Sequence, residues 1–171
     1  RRQLNMVVQT TIDRIVFLRI CEDRNIEPYG RLQDNSRGTH IYANLLQLFR
    51  QADAKYNSGL FHFNYETGRD EPDNLTPHIV ISDDTLQYII SRLYYPSPYA
   101  FEVIPADILG QIYERFLGKV IELSAGGGAR IEEKPEVRKA GGVFYTPTYI
   151  VNYIVENTVG KLVGNKTPDE V

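Results

Sequence analysis

The residues best suited by type and spacing to do chemistry are Gly141-Gly142-Val143-Phe144-Tyr145-Thr146-Pro147. Two glycines let the backbone turn tightly or lie close against a ligand. Thr146-Pro147 reads as a helix start: a threonine hydroxyl can accept a bond from a free first-turn amide, and proline suits the first helical position because it has no amide to leave unpaired. Behind it, Ile150, Val151, Ile154, Val155, Val159 and Leu162 recur at helical spacing and predict one buried face. Phe144 and Tyr145 held at the positive end of that helix would cradle a small ligand with a carboxylate and an apolar body. The same residues also fit an ordinary capped helix after a glycine turn, and both readings stand at this point.

Four other candidates are weaker. Glu132-Glu133-Lys134 contains the Glu-x-Lys of many metal-dependent nucleases, but that chemistry needs a further acid brought in by a strand so that several oxygens hold the cation. No strand signal surrounds it, so it reads as a solvated charge run in a linker. Gly126-Gly127-Gly128 follows a helical pattern and lacks Lys-Ser or Lys-Thr, so a linker is expected there and not a phosphate loop. His40, His62 and His78 are widely spaced and Cys21 is the single cysteine, so neither a zinc site nor a disulfide framework is predicted. Arg14, Arg19, Arg24 and Arg31 could face a phosphate backbone. Interleaved with Asp13, Glu22 and Asp23, they read instead as a solvated, self-paired surface, with Arg19 and Asp23 four apart on one helix face.

The elements that must position these groups are mainly helical. A first helix is predicted over residues 3–25, with Leu4, Val8, Ile15 and Leu18 as its stripe, widened by Val7, Ile12, Val16 and Ile20, and closed by Pro28 and Gly30. A second runs from Thr39 or His40 to about Lys55, burying Ile41, Leu45, Leu48, Phe49 and Ala52. The loop over 56–76 is too long and too aromatic (Phe61, Phe63, Tyr65) to hang free, and is expected to pack down. Ser82 starts a third helix, with Asp83 and Asp84 complementing its dipole and Leu86, Ile89, Ile90 and Leu93 inward. The prolines at 96 and 98 end that region. A fourth helix after Pro105 carries Leu109, Ile112, Phe116, Val120 and Leu123. Residues 124–129 then read as a flexible connection. The expected division is a helical spacer over 1–125 and a second, unfinished domain over 126–171.

The 171 residues, 42% hydrophobic and 24% charged, are those of a soluble globular domain with a core. A single cysteine fits a reducing cytosol, and no apolar run is long enough to span a bilayer. A net charge of −3 argues against a free-standing, strongly basic nucleic-acid binder while leaving room for a local basic face. The chain opens on Arg1, as an excised segment would.

The string Arg138-Lys139-Ala140-Gly141-Gly142-Val143-Phe144-Tyr145-Thr146-Pro147, followed by Ile150-Val151-Asn152-Tyr153-Ile154-Val155, resembles the entry to the methyltransferase domain of adenine-specific DNA methyltransferases. The likeness is greatest to large restriction–modification polypeptides, such as type IIG enzymes and related prokaryotic phage-defence methylases. It extends to Asp13-Arg14-Ile15-Val16-Phe17-Leu18-Arg19-Ile20-Cys21-Glu22-Asp23-Arg24 and to the segment from Ile108 to Gly118. The resemblance implies a multi-helix domain followed by the first helix of an incomplete Rossmann-like domain. It places Phe144, Tyr145, Thr146 and Pro147 beside S-adenosylmethionine, and it makes the acceptor the N6 amine of adenine in a specific DNA sequence. The family holds that amine with an Asn/Asp-Pro-Pro-Tyr/Phe motif after extruding the base. No Pro-Pro pair occurs in this chain, and the family's glycine-rich cofactor loop is missing too, so the chain alone is expected to be inactive, with no catalytic residue of its own. Its implied partners are double-stranded DNA, the rest of a methyltransferase and possible nuclease domains, with no membrane. The alternative is a helical module that docks a partner subunit or domain and has no cofactor site. Self-association through the 147–162 helix is also expected, because isolation would bare its apolar side.

Overall fold

The computed structural model describes residues 2–56, 58–68, 71–97, 100–124, 126, 128–134, 137, 146–163 and 166–167. The chain divides into one compact unit of Arg1–Val103 with Ala125–Gly127, and a second of Ile104–Ser124 with Gly128–Val171.

In the first unit, α1 spans Arg2–Asp23, uninterrupted by glycine or proline. It ends before Pro28 is reached. Asn25 takes a left-handed conformation (φ 59°), its amide bonds the Glu22 carbonyl at 3.0 Å, and the Ile26 amide bonds the Cys21 carbonyl at 2.8 Å. These are the paired bonds that close a helix at a left-handed residue, with asparagine in the place glycine usually takes. The buried face also differs from the expected stripe: Val7, Thr11, Arg14, Ile15, Leu18, Arg19, Cys21 and Glu22 point inward, while Leu4 is exposed. Two arginines and a glutamate turn into the core because each finds partners there.

One of those ions builds the next element. The short α2 (Arg31–Asn35) follows Gly30, whose φ of 85° suits glycine. With no capping side chain of its own, α2 is capped by Glu22, whose carboxylate accepts the Gly30 amide at 3.1 Å and the Leu32 amide at 2.6 Å. Helix α3 (Ile41–Tyr56) buries Ile41, Leu45, Leu48, Phe49 and Ala52, the face its periodicity predicts. Its free N-terminal amides are also met from a distance: Asp83 accepts from His40 at 2.9 Å and from Ile41 at 2.8 Å. The loop beyond packs down on Phe61, fully buried, but Tyr65 stays out in solvent. Helix α4 (Asp83–Ser91) turns Leu86 and Ile90 inward and leaves Ile89 exposed. Ser82 precedes it without capping it, bonding the Thr85 hydroxyl instead. Ile15, Leu18, Leu32, Leu45, Phe49, Phe61, Leu86, Ile90 and Tyr94 share one core.

The second unit departs more from expectation. Helix α5 (Ala106–Leu117) stops at Gly118, where the Gly118 amide bonds the Glu114 carbonyl at 3.1 Å. Val120 and Leu123 therefore leave the helix and lie in a strand, β1 (Lys119–Leu123). It pairs antiparallel with β2 (Ala129–Glu133), Ile121 opposite Ile131 and Lys119 opposite Glu133. Val120-Ile121 and Ile131 are residues that favour a strand, and the intervening glycines suit a hairpin tip. Within the expected flexible connection, the Ser124 amide bonds the Gly128 carbonyl at 2.7 Å, next to the Leu123–Ala129 pair; residues 125 and 127 lie outside the described residues. Helices α6 (Thr148–Asn157) and α7 (Val159–Val163) follow. The fold is mainly helical, and the antiparallel pair is the sheet among the described residues.

Candidate functional site

Of the four residues expected to line a cofactor site, Phe144 and Tyr145 lie outside the described residues; Thr146 and Pro147 are described and exposed. The helix start is shifted by one position from its predicted place. Thr148 is the first residue of α6, and Pro147 stands at the cap, its carbonyl accepting the Ile150 and Val151 amides at 2.9 and 3.2 Å. No side chain caps this end. The Thr148 hydroxyl instead bonds Asp107 of α5 at 3.3 Å.

The predicted buried face of this helix is not buried. Ile150 and Val151 are half-covered, Ile154, Val155, Val159 and Leu162 are exposed, and Tyr149 and Tyr153 project beside them. The run also breaks at Thr158, whose backbone leaves the helical region, so the expected single helix is two. Glu132 and Glu133 lie on β2, both exposed, with Glu133 paired to Lys119 at 3.0 Å. No group of three His, Cys, Asp or Glu side chains among the described residues could hold a metal ion.

The chemistry-bearing groups that the fold does assemble are ionic clusters in the first unit. Arg14, 1% exposed, donates from Nε to the Leu60 carbonyl at 2.8 Å, pairs with Asp73 at 2.7 Å and lies over the Phe63 ring at 4.4 Å. Burial raises the Asp73 carboxyl pKa, but bonds from Thr76 and the Arg14 charge more than offset that and hold it below the usual range. Arg14 and Asp73 line a cleft of about 650 Å³ with Met6, Thr10, His62 and Glu71. Five residues along, Arg19 donates to the Leu93 carbonyl at 2.8 Å, pairs with Asp23 as its i, i+4 spacing predicts, and lies over Tyr94 at 4.3 Å. Neither arginine is a solvated surface residue. The overlooked signal is positional: Val7, Thr11, Arg14, Leu18, Cys21 and Glu22 fall on one 3–4 repeat, so the charges share a stripe with apolar residues.

A third cluster opens to solvent. The buried Glu27 carboxylate binds Arg31 at 2.6 Å, Lys55 at 2.7 Å and the Tyr56 hydroxyl at 2.5 Å. Burial pushes the Glu27 pKa up, yet these bonds outweigh it and keep the group ionised below the usual glutamate range. Burial raises the adjoining Cys21 thiol, which is therefore no ready nucleophile. Arg31 also bonds Gln51, and these groups rim a niche of about 300 Å³ floored by Leu18, Leu48 and Ala52.

No protein-family model matches the chain, and no solved structure matches it. Along nearly its whole length, however, the chain is related to restriction–modification methyltransferases. The relative that shows it is the Type II restriction enzyme and methyltransferase RM.Eco57I of Escherichia coli, 37% identical over 170 residues, 99% of this chain. The chain spans 16% of the length of that relative. No helix among the described residues is long and apolar enough to cross a membrane.

Proposed function

We propose that the chain is a segment of a longer restriction–modification polypeptide that transfers a methyl group from S-adenosylmethionine to the N6 amine of adenine in a specific DNA sequence. Its part is a helical spacer, over about residues 1–125, and the entry to the methyltransferase domain, over 126–171. The observation that carries this reading is the relationship to RM.Eco57I along the chain, supported by the motif from Arg138 to Pro147. Phe144, Tyr145, Thr146 and Pro147 are the proposed cofactor-lining residues. A positively polarised helix end suits the carboxylate of the donor, and the two aromatics suit its apolar parts. The base-holding motif, and any nuclease domain, would lie in the remainder of the polypeptide.

The test is methyl transfer by the full-length polypeptide from tritiated S-adenosylmethionine to duplex DNA. Tyr145→Ala and Thr146→Ala are expected to weaken cofactor binding at least about tenfold, roughly 1.4 kcal/mol, with the melting temperature unchanged. Transfer to no adenine, or unchanged cofactor affinity in both variants, defeats the reading. A second reading is favoured by the exposed Tyr149, Tyr153, Ile154 and Leu162: a helical module that docks a partner subunit or domain and binds no cofactor. A full-length polypeptide that captures no S-adenosylmethionine in equilibrium dialysis would select it.

A further inference from the structure

We infer that the niche rimmed by Arg31, Gln51 and Lys55, continued by Arg50 along α3, is a contact for the phosphate backbone of double-stranded DNA. The inference rests on the DNA-modifying reading above and adds a site that the reading does not supply. In a chain of net charge −3, the outward face of α3 is free of acids: its exposed residues are Ala43, Gln47, Arg50, Gln51, Ala54 and Lys55. The helix's one carboxylate, Asp53, is half-buried and accepts the Phe63 amide at 3.1 Å.

Two of the cations are also held in place. Lys55 and Arg31 share the Glu27 carboxylate, Gln51 fixes the far side of the Arg31 guanidinium, and Tyr56 takes a further bond to Glu27. Glu27 is itself buried, so it organises the two cations from beneath while Lys55, 49% exposed, and Arg31, 33% exposed, remain open to solvent. Arg50 is exposed and has no ion-pair partner among the described residues. Three cations against one buried carboxylate, with amide side chains between them, match the residue types that contact phosphates and fix register without reading sequence. A preset geometry also lowers the ordering cost that flexible lysines and arginines otherwise carry on binding.

This revises the four arginines considered from sequence. Arg14 and Arg19 are withdrawn into the core, and the face that remains is built on Arg31 with Arg50 and Lys55 of α3.

The test is fluorescence anisotropy of a labelled 20-base-pair duplex of arbitrary sequence with the full chain, repeated over a salt series. The variants are Arg50→Gln, Lys55→Gln and the double change, with the exposed Arg37→Gln as an off-face control. Each single change on the face is expected to lower the salt slope by about one and to weaken binding roughly 5- to 10-fold near 0.1 M salt, while the control changes neither. Circular dichroism melts confirm that the variants are folded. Equal affinity of wild type and double variant, no binding by wild type, or tighter binding of single-stranded RNA of the same length overturns the assignment. The two readings fail separately. No methyl transfer by the full-length polypeptide together with the expected salt slope indicts the enzymatic reading, and methyl transfer by it together with no change in slope between wild type and variants indicts the niche.

Discussion

The two units handle their apolar and charged residues in opposite ways. The first buries Arg14, Arg19, Glu22 and Glu27 and gives each of them a partner. The second leaves Tyr149, Tyr153, Ile154, Val159 and Leu162 in solvent, and no residue of α6 or α7 is buried. A unit with satisfied internal ions has one arrangement in which those ions are compensated, so its core specifies a single structure. A unit with bare apolar helices has not spent its hydrophobic driving force. The first unit therefore draws its stability from within, and the second has surface left with which to gain stability from a partner.

The sharpest way to break that comparison is Arg14→Met. The change keeps much of the side chain's bulk but strands Asp73 in a largely buried site without its cation. A loss of roughly 3–5 kcal/mol is expected, read as a fall in the denaturation midpoint. The reciprocal change in the second unit, Ile154→Ala, should cost no more than about 0.5 kcal/mol because that side chain is already half in water. Similar losses for the two would mean that the buried ions do not anchor the first unit.

The same contrast explains what could be seen in the sequence. Helix α3 was legible residue by residue because its buried face is purely apolar, and period alone locates it. On α1 the expected Val7, Ile15 and Leu18 are buried, but the inward face also carries Arg14, Arg19 and Glu22, which an apolar period treats as outside. Their partners explain why: Asp73, Leu60 and Leu93 lie 46 to 74 residues away, beyond any local signal. Asp83 stands in the first turn of its own helix as expected, and it also caps α3, again a long-range pairing. The β1–β2 hairpin was hidden because Val120 and Leu123 continue the helical spacing of α5, and only Gly118 marks the change. At the proposed cofactor element, sequence supplied the motif while the structure shows Thr146 and Pro147 in solvent just before α6.

A smaller effect should appear on acidification. The carboxyl groups of Glu27 and Asp73 lie below their ordinary values of 4.5 and 3.8 when folded. A group whose folded pKa is depressed contributes stability that is present above its unfolded pKa and is lost as pH falls through the folded one. The melting temperature should therefore hold from neutral pH down to about pH 5 and then drop below roughly pH 4.5. Asp73→Asn and Glu27→Gln should start lower and show a shallower drop over the same range. An equally steep fall in both variants would place the acid sensitivity elsewhere.

The least costly change to the fold is the most informative about the second unit. Tyr153→Glu with Leu162→Glu alters two side chains that are each more than two-thirds exposed, so the melting temperature should move by no more than about 0.5 kcal/mol's worth. Association should nevertheless respond. Contiguous apolar surface on a helix is covered by whatever is at hand, and in a solution of this chain alone that is a second copy. Sedimentation velocity over a concentration series should show the wild type moving toward a larger species as concentration rises and the double variant remaining monomeric. A wild type that is monomeric throughout would mean that the exposed face is not adhesive by itself. The contrast between the units would then be one of packing alone, with no unsatisfied surface behind it.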